Sequence, residues 1–189
     1  MISDRDARAL LVAVWPGRTL AEYQIVQAIG RFEGNYGSAF DGANNWGASQ
    51  RPALADGSCP VGTTATPDFD AHGVQYTACI FRLPSPEAGA RALVRSLTAP
   101  RRPDVGRALT SGNARRVAGA MSRSGYMAAK PDRYALSIQR NARTIARALG
   151  ESLKVTSSSA SRSPLGAFAF VAVFLEFAII AFLATRGRT

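Results

Sequence analysis

The chain is poor in side chains that hold metals. It has a single histidine, His72, and two cysteines, Cys59 and Cys79, which leaves a zinc site short of its usual four ligands. Neither a metal nor a cofactor is expected. Acidic residues are also scarce, 13 against 23 basic ones, and the net charge of +10 is carried almost wholly by arginine. Such a balance favours an anionic partner: nucleic acid, an anionic lipid face or an acidic cell envelope. An arginine-rich arm, zinc-finger spacing and an aromatic-rich sheet motif are all lacking, so only charge points to nucleic acid, which is not an expected partner. The first residues also lack the pattern of a secretory signal. Asp4, Arg5, Asp6 and Arg8 crowd them, and the apolar run from Ala9 to Trp15 is short, with no cleavage site after it.

What is present is enough for a folded domain. Hydrophobic residues make up 47% and charged residues 19%, a composition that can bury a core. Setting aside the apolar C-terminal part leaves about 150 residues, one domain's worth. Cys59 and Cys79 lie twenty positions apart. A disulfide closing that loop would contribute about 3 kcal/mol through loop entropy; two reduced, half-buried thiols are the alternative.

Residues 4–15 read as an amphipathic helix halted by Pro16-Gly17. Thr19, with Glu22 three residues on, forms a capping box for a second helix whose Leu20, Tyr23, Ile25, Val26 and Ile29 repeat at helical spacing. That helix runs out at Arg31-Phe32-Glu33, with Gly34-Asn35-Tyr36-Gly37 as its stop. From Gly42 to Ile80 glycine, proline, asparagine and threonine dominate, and a small β-hairpin lobe is predicted, with a strand over 74–81 after a turn at 71–73. Helices return at Ser85-Pro86, a cap and first-turn proline. A breaker at 100–103 precedes short helices over 104–109 and 113–122. The last helix spans 132–149, with Ile138, Ala142, Ile145 and Leu149 inward and Gly150 ending it.

Residues 153–164 read as a serine-rich linker. Leu165 to Ala184 is apolar except for Glu176, and at ~1.5 Å per residue it is long enough for a transmembrane helix. A basic tail, 185–189, follows. The expectation is a single-pass membrane protein with a C-terminal anchor. Lys154 and Arg162 on one flank and Arg186 and Arg188 on the other leave its topology undecided. Glu176 is either a neutral acid tolerated in lipid or a polar contact to a homo-oligomer or particle partner.

Glu33 is the residue best suited to chemistry. A carboxylate at the end of an apolar helix meets the negative end of the helix dipole, and Phe32, Tyr36 and Trp46 offer apolar walls. Both effects hold a proton on it, as a general acid requires. Glu33-Gly34-Asn35-Tyr36-Gly37 also resembles the catalytic glutamate segment of the glucosaminidase family of bacterial cell-wall hydrolases. Asn44-Asn45-Trp46-Gly47 is similar to that family's asparagine–x–aromatic–glycine turn. Phe81-Arg82 and Ser85-Pro86-Glu87 resemble its exit from the β-lobe, and Gly125-Tyr126 with Asp132-Arg133-Tyr134-Ala135 its closing motif. The four pieces occur in order over residues 20–149. Leu83-Pro84 stands where the family has another aromatic.

The resemblance implies an α+β, mainly α, lysozyme-like domain over 1–152, and cleavage of the β-1,4 glycan backbone of peptidoglycan as an endo-β-N-acetylglucosaminidase. Lytic transglycosylases, muramidases and an inactive wall-binding module share the constellation, and delivery by a phage or particle would fit a chain without an export signal. Asp68 or Asp70 would be the second carboxylate, failing which the substrate's N-acetyl group serves as nucleophile. Tyr126 and Tyr134 either line the glycan cleft or pack between helices, and Tyr76 is a weaker cleft candidate. Trp46 and Asn44 either hold the turn or touch sugar. Peptidoglycan strands and, through 165–184, a lipid bilayer are the expected partners.

Overall fold

The computed structural model describes residues 2–70, 72–127 and 130–157. The chain separates into two units, Met1–Ser158 and Ser159–Thr189, and every described residue belongs to the first. Among the described residues the helices are α1 (Asp4–Val14), α2 (Leu20–Gly34), α3 (Pro86–Leu97), α4 (Pro103–Thr110), α5 (Ala114–Arg123) and α6 (Pro131–Leu149). Between α2 and α3 lie the strands β1 (Gln50–Arg51), β2 (Thr63–Phe69) and β3 (Gln75–Phe81).

Local chemistry sets the helix ends. Glu22 N–H donates to Thr19 Oγ1 at 3.2 Å while Thr19 N–H donates to Glu22 Oε2 at 2.8 Å, so two otherwise unpaired donors of α2 are satisfied reciprocally. Asn35, at φ 43°, turns the chain out of α2. Ser85 Oγ accepts from Ala88 N–H at 3.1 Å ahead of Pro86, and Gly150, at φ 66°, ends α6. Ile25, Val26 and Ile29 of α2 are fully buried, and Leu93, Leu97, Leu109, Met121, Ile138 and Ile145 complete the core around them. α6 packs along both α2 and α5.

The sheet has the order β1-β3-β2 and is antiparallel throughout, with Asp68 opposite Tyr76 and Ala65 opposite Cys79. Pro67 lies in the outer strand β2, where a missing N–H costs no ladder bond on the open side. Cys59 and Cys79 are joined as a disulfide, which ties the loop before β2 to β3.

Glycines let helices and lobe meet closely. A Cβ at Gly89 would lie 1.9 Å from Asn44 O and 2.6 Å from Trp46 Cδ1, and one at Gly30 would lie 3.0 Å from Trp46 Cε3. α2 and α3 therefore clasp the turn that leads into the lobe.

Residues 153–156, the start of the stretch assigned above to a linker, are held by the domain. Lys154 N–H donates to Gln24 Oε1 at 2.8 Å, Val155 is buried, and Thr156 exchanges backbone hydrogen bonds with Gly112 and Ala114 at 2.9 and 3.0 Å.

Two expectations are corrected. The described fold is α+β without a membrane-spanning element, because among the described residues no helix is long and apolar enough to cross a membrane. The assignment as a single-pass membrane protein falls with it. The segment 165–184 on which both rested, with Glu176, lies outside the described residues, as do Ala71 of the expected turn and most of the linker.

Candidate active site

A cleft of about 580 Å³ opens between the helices and the lobe. Phe32, Glu33, Tyr126 and Tyr134 line its helical side, and Gln50, Asp68, Phe69 and Tyr76 its lobe side. Glu33 stands in the last turn of α2, which ends at Gly34, and its side chain lines the cleft.

Burial pushes the Glu33 carboxyl above its ordinary 4.5; a hydrogen bond from Tyr134 opposes the rise, and the charge of Asp68 adds to it. The cause is that both burial and a neighbouring anion disfavour the ionised form. Tyr134 Oη donates to Glu33 Oε1. Tyr134 is itself buried, and its ring meets that of Phe32 edge-on, with centroids 5.1 Å apart. The buried Tyr126 hydroxyl has no hydrogen-bond partner among the described residues, and burial followed by the charge of Glu33 pushes it well above the usual phenol range.

Asp68 and Asp70 part company at the end of β2. Asp68 Oδ2 accepts from Gln50 Nε2 and from Tyr76 Oη, both at 3.0 Å, and its Oδ1 accepts from Phe69 N–H at 2.8 Å. Oδ2 has both of its lone pairs engaged, and Oδ1 keeps one for a further donor. Both Asp68 and Glu33 also line a narrower recess of about 210 Å³ beside the cleft. Asp70 is spent on the turn, where its Oδ1 accepts from His72 N–H at 2.8 Å and Val74 N–H at 2.9 Å. His72 is exposed in that turn.

The structure thus brings Glu33, Asp68, Tyr76, Tyr126 and Tyr134 to one cleft. Trp46 is elsewhere, fully buried, with its ring 5.0 Å from that of Tyr36. Tyr36 faces α1 and donates to Asp4 Oδ1 at 2.7 Å, so of the three expected apolar walls only Phe32 borders the cleft. Asn44 holds backbone, its Nδ2 donating to Leu83 O at 3.0 Å. Sequence reasoning missed Gln50, Phe69, Arg101 and Arg102. The arginines carried a readable signal, a charge pair between two prolines; Gln50 carried none.

Among the described residues, no three His, Cys, Asp or Glu side chains lie close enough together to hold a metal ion. What the arrangement can do is deliver a proton from Glu33 and, across the cleft, accept one at Asp68. No family model, curated protein or solved structure matches the chain.

Proposed function

We propose that this protein is a glycoside hydrolase that cleaves the β-1,4 backbone of bacterial peptidoglycan, of the endo-β-N-acetylglucosaminidase type, with Glu33 as the general acid. The observation that carries the reading is a single one: a carboxyl whose pKa is raised by burial shares an open cleft with a second, hydrogen-bonded carboxylate. A pair of carboxyl groups flanking the scissile bond is the working part of most glycosidases.

In this reading the glycan lies along the cleft with the scissile oxygen against Glu33. The Glu33 proton passes to that oxygen as the sugar–oxygen bond breaks. Asp68 takes a proton from water attacking the anomeric carbon from the other face, and the recess bordered by both carboxyls offers room for that water. The donors from Gln50 and Tyr76 fix the Asp68 carboxylate in place. Tyr134 fixes Glu33 in the same way. The four-part resemblance to cell-wall glucosaminidases supplies the substrate.

The test is digestion of purified peptidoglycan by the full chain, with mass spectrometry of the products. Reducing-end N-acetylglucosamine is expected. Anhydro-muramic ends would reassign the enzyme to the lytic transglycosylases, and no release from a folded protein would leave a binding module.

A further inference from the structure

The cleft has a second end that acid–base chemistry leaves unused. Arg101 and Arg102 line it, and neither joins any ion pair among the described residues. Arg102 is held in place rather than loose. Its Nη1 donates to Ser96 O at 2.9 Å and to Ser96 Oγ at 3.2 Å, and its guanidinium lies 5.2 Å from the centre of the Tyr126 ring.

Two donors are left over at this spot. Arg102 Nε and Tyr126 Oη are both buried and both lack a hydrogen-bond partner among the described residues, which native structures rarely tolerate without a ligand or water to complete them. Burial and then the neighbouring Arg101 lower the Arg102 pKa from its ordinary value, and Tyr126 opposes them.

We propose that Arg101 and Arg102, beside Tyr126, form an anion subsite of the cleft that takes a carboxylate carried by the glycan. The proposal rests on the glycosidase reading and names the feature of the substrate that this chain selects. The fork of a guanidinium matches the plane of a carboxylate. Two parts of peptidoglycan present one: the lactyl ether of muramic acid once its peptide is removed, and the stem peptide itself. Phe32 and Tyr76, both exposed, would meet sugar faces, while the arginines read whether the sugar is charged.

Calorimetry on the full chain tests it, in a Glu33→Gln background so that nothing is cleaved. Three probes are compared: chitotetraose, which is neutral; a peptide-free N-acetylglucosamine–N-acetylmuramic acid tetrasaccharide; and the same sugar with its stem peptides. One of the two anionic probes is expected to bind about tenfold or more tighter than chitotetraose, the worth of a charge-assisted contact, and whichever wins identifies the source of the carboxylate. Arg102→Gln should bring that ratio toward one. Arg101→Gln, which removes an exposed charge without touching the Ser96 contacts, should lower it several-fold and keeps the test valid if the Arg102 variant fails to fold. Equal binding of all three probes would overturn the subsite and leave the glycan reading standing. Binding of none would overturn both.

Discussion

Replacing Glu33 with Gln changes one atom that matters. The amide keeps the size of the side chain and can still accept from Tyr134 Oη, but it has no acidic proton to give. Loss of a general acid costs about 10²–10⁴ in rate, which is about 2.7–5.4 kcal/mol of transition-state stabilisation. The same substitution should leave a signature in stability. In the native state Glu33 holds its proton more tightly than the ordinary 4.5, so its contribution is fully present below pH 4.5 and is lost as pH rises through its elevated value. Above that, the parent carries a buried carboxylate and the variant does not. Urea unfolding at pH 4 and pH 8 should therefore give equal stabilities at the lower pH and a more stable variant at the higher. Release of reducing ends from soluble glycan strands gives the rate. Near-parental turnover by a folded Glu33→Gln protein would refute the assignment of the acid. A stability difference that does not grow with pH would refute the electrostatic account of the site.

Asp68→Asn should reduce turnover by about 10²-fold or more if Asp68 activates water, whereas Asp70→Asn should act only on the turn; equal, small effects of the two would indicate that the substrate's N-acetyl group does the work. Tyr134→Phe removes a hydrogen bond that lowers the Glu33 pKa, so the alkaline limb of the pH–rate profile should move to higher pH, and an unmoved limb would contradict that coupling. Cys59→Ser opens a loop of sequence separation 20 and should cost about 3 kcal/mol in denaturant unfolding, with the far-ultraviolet signal of the helices retained under native conditions.

Helices were legible because their ends are local chemistry. Thr19 with Glu22, Ser85 with Pro86, and Gly150 each act within one turn of where they stand in sequence, and the observed boundaries follow them. The lobe was legible only in part. β2 reads TTATPDF, half-exposed along its length and interrupted by Pro67, so neither alternation nor apolar content marks it as a strand. Asp68 and Asp70 are two residues apart and share a face of any extended chain, so spacing could not choose between them. The register chose: Asp68 still has Tyr76 opposite, while Asp70 lies past the last pair and turns its oxygen onto the backbone. Trp46 reads first as a residue that holds the turn and second as a cleft wall; its ring lies inside because Gly30 and Gly89 leave a slot that only a missing Cβ can open. Arg101 and Arg102 passed as part of a breaker, since their meaning depends on Ser96 of α3 and on Tyr126 of the loop after α5 coming to them.

The clasp around Trp46 decides what light can report about this protein. The chain has two tryptophans; Trp46 is 0% and Trp15 9% exposed, and neither borders the cleft. Both indoles emit from the helical core, one between α2 and α3 and the other at the end of α1 against Tyr23. Their emission should therefore follow unfolding closely and stay silent when sugar enters, unlike the quenching expected where an indole stacks on a pyranose. A shift in emission on adding glycan to the folded protein would mean that occupancy of the cleft reaches the glycine slot and loosens the grip of two helices on the turn between them.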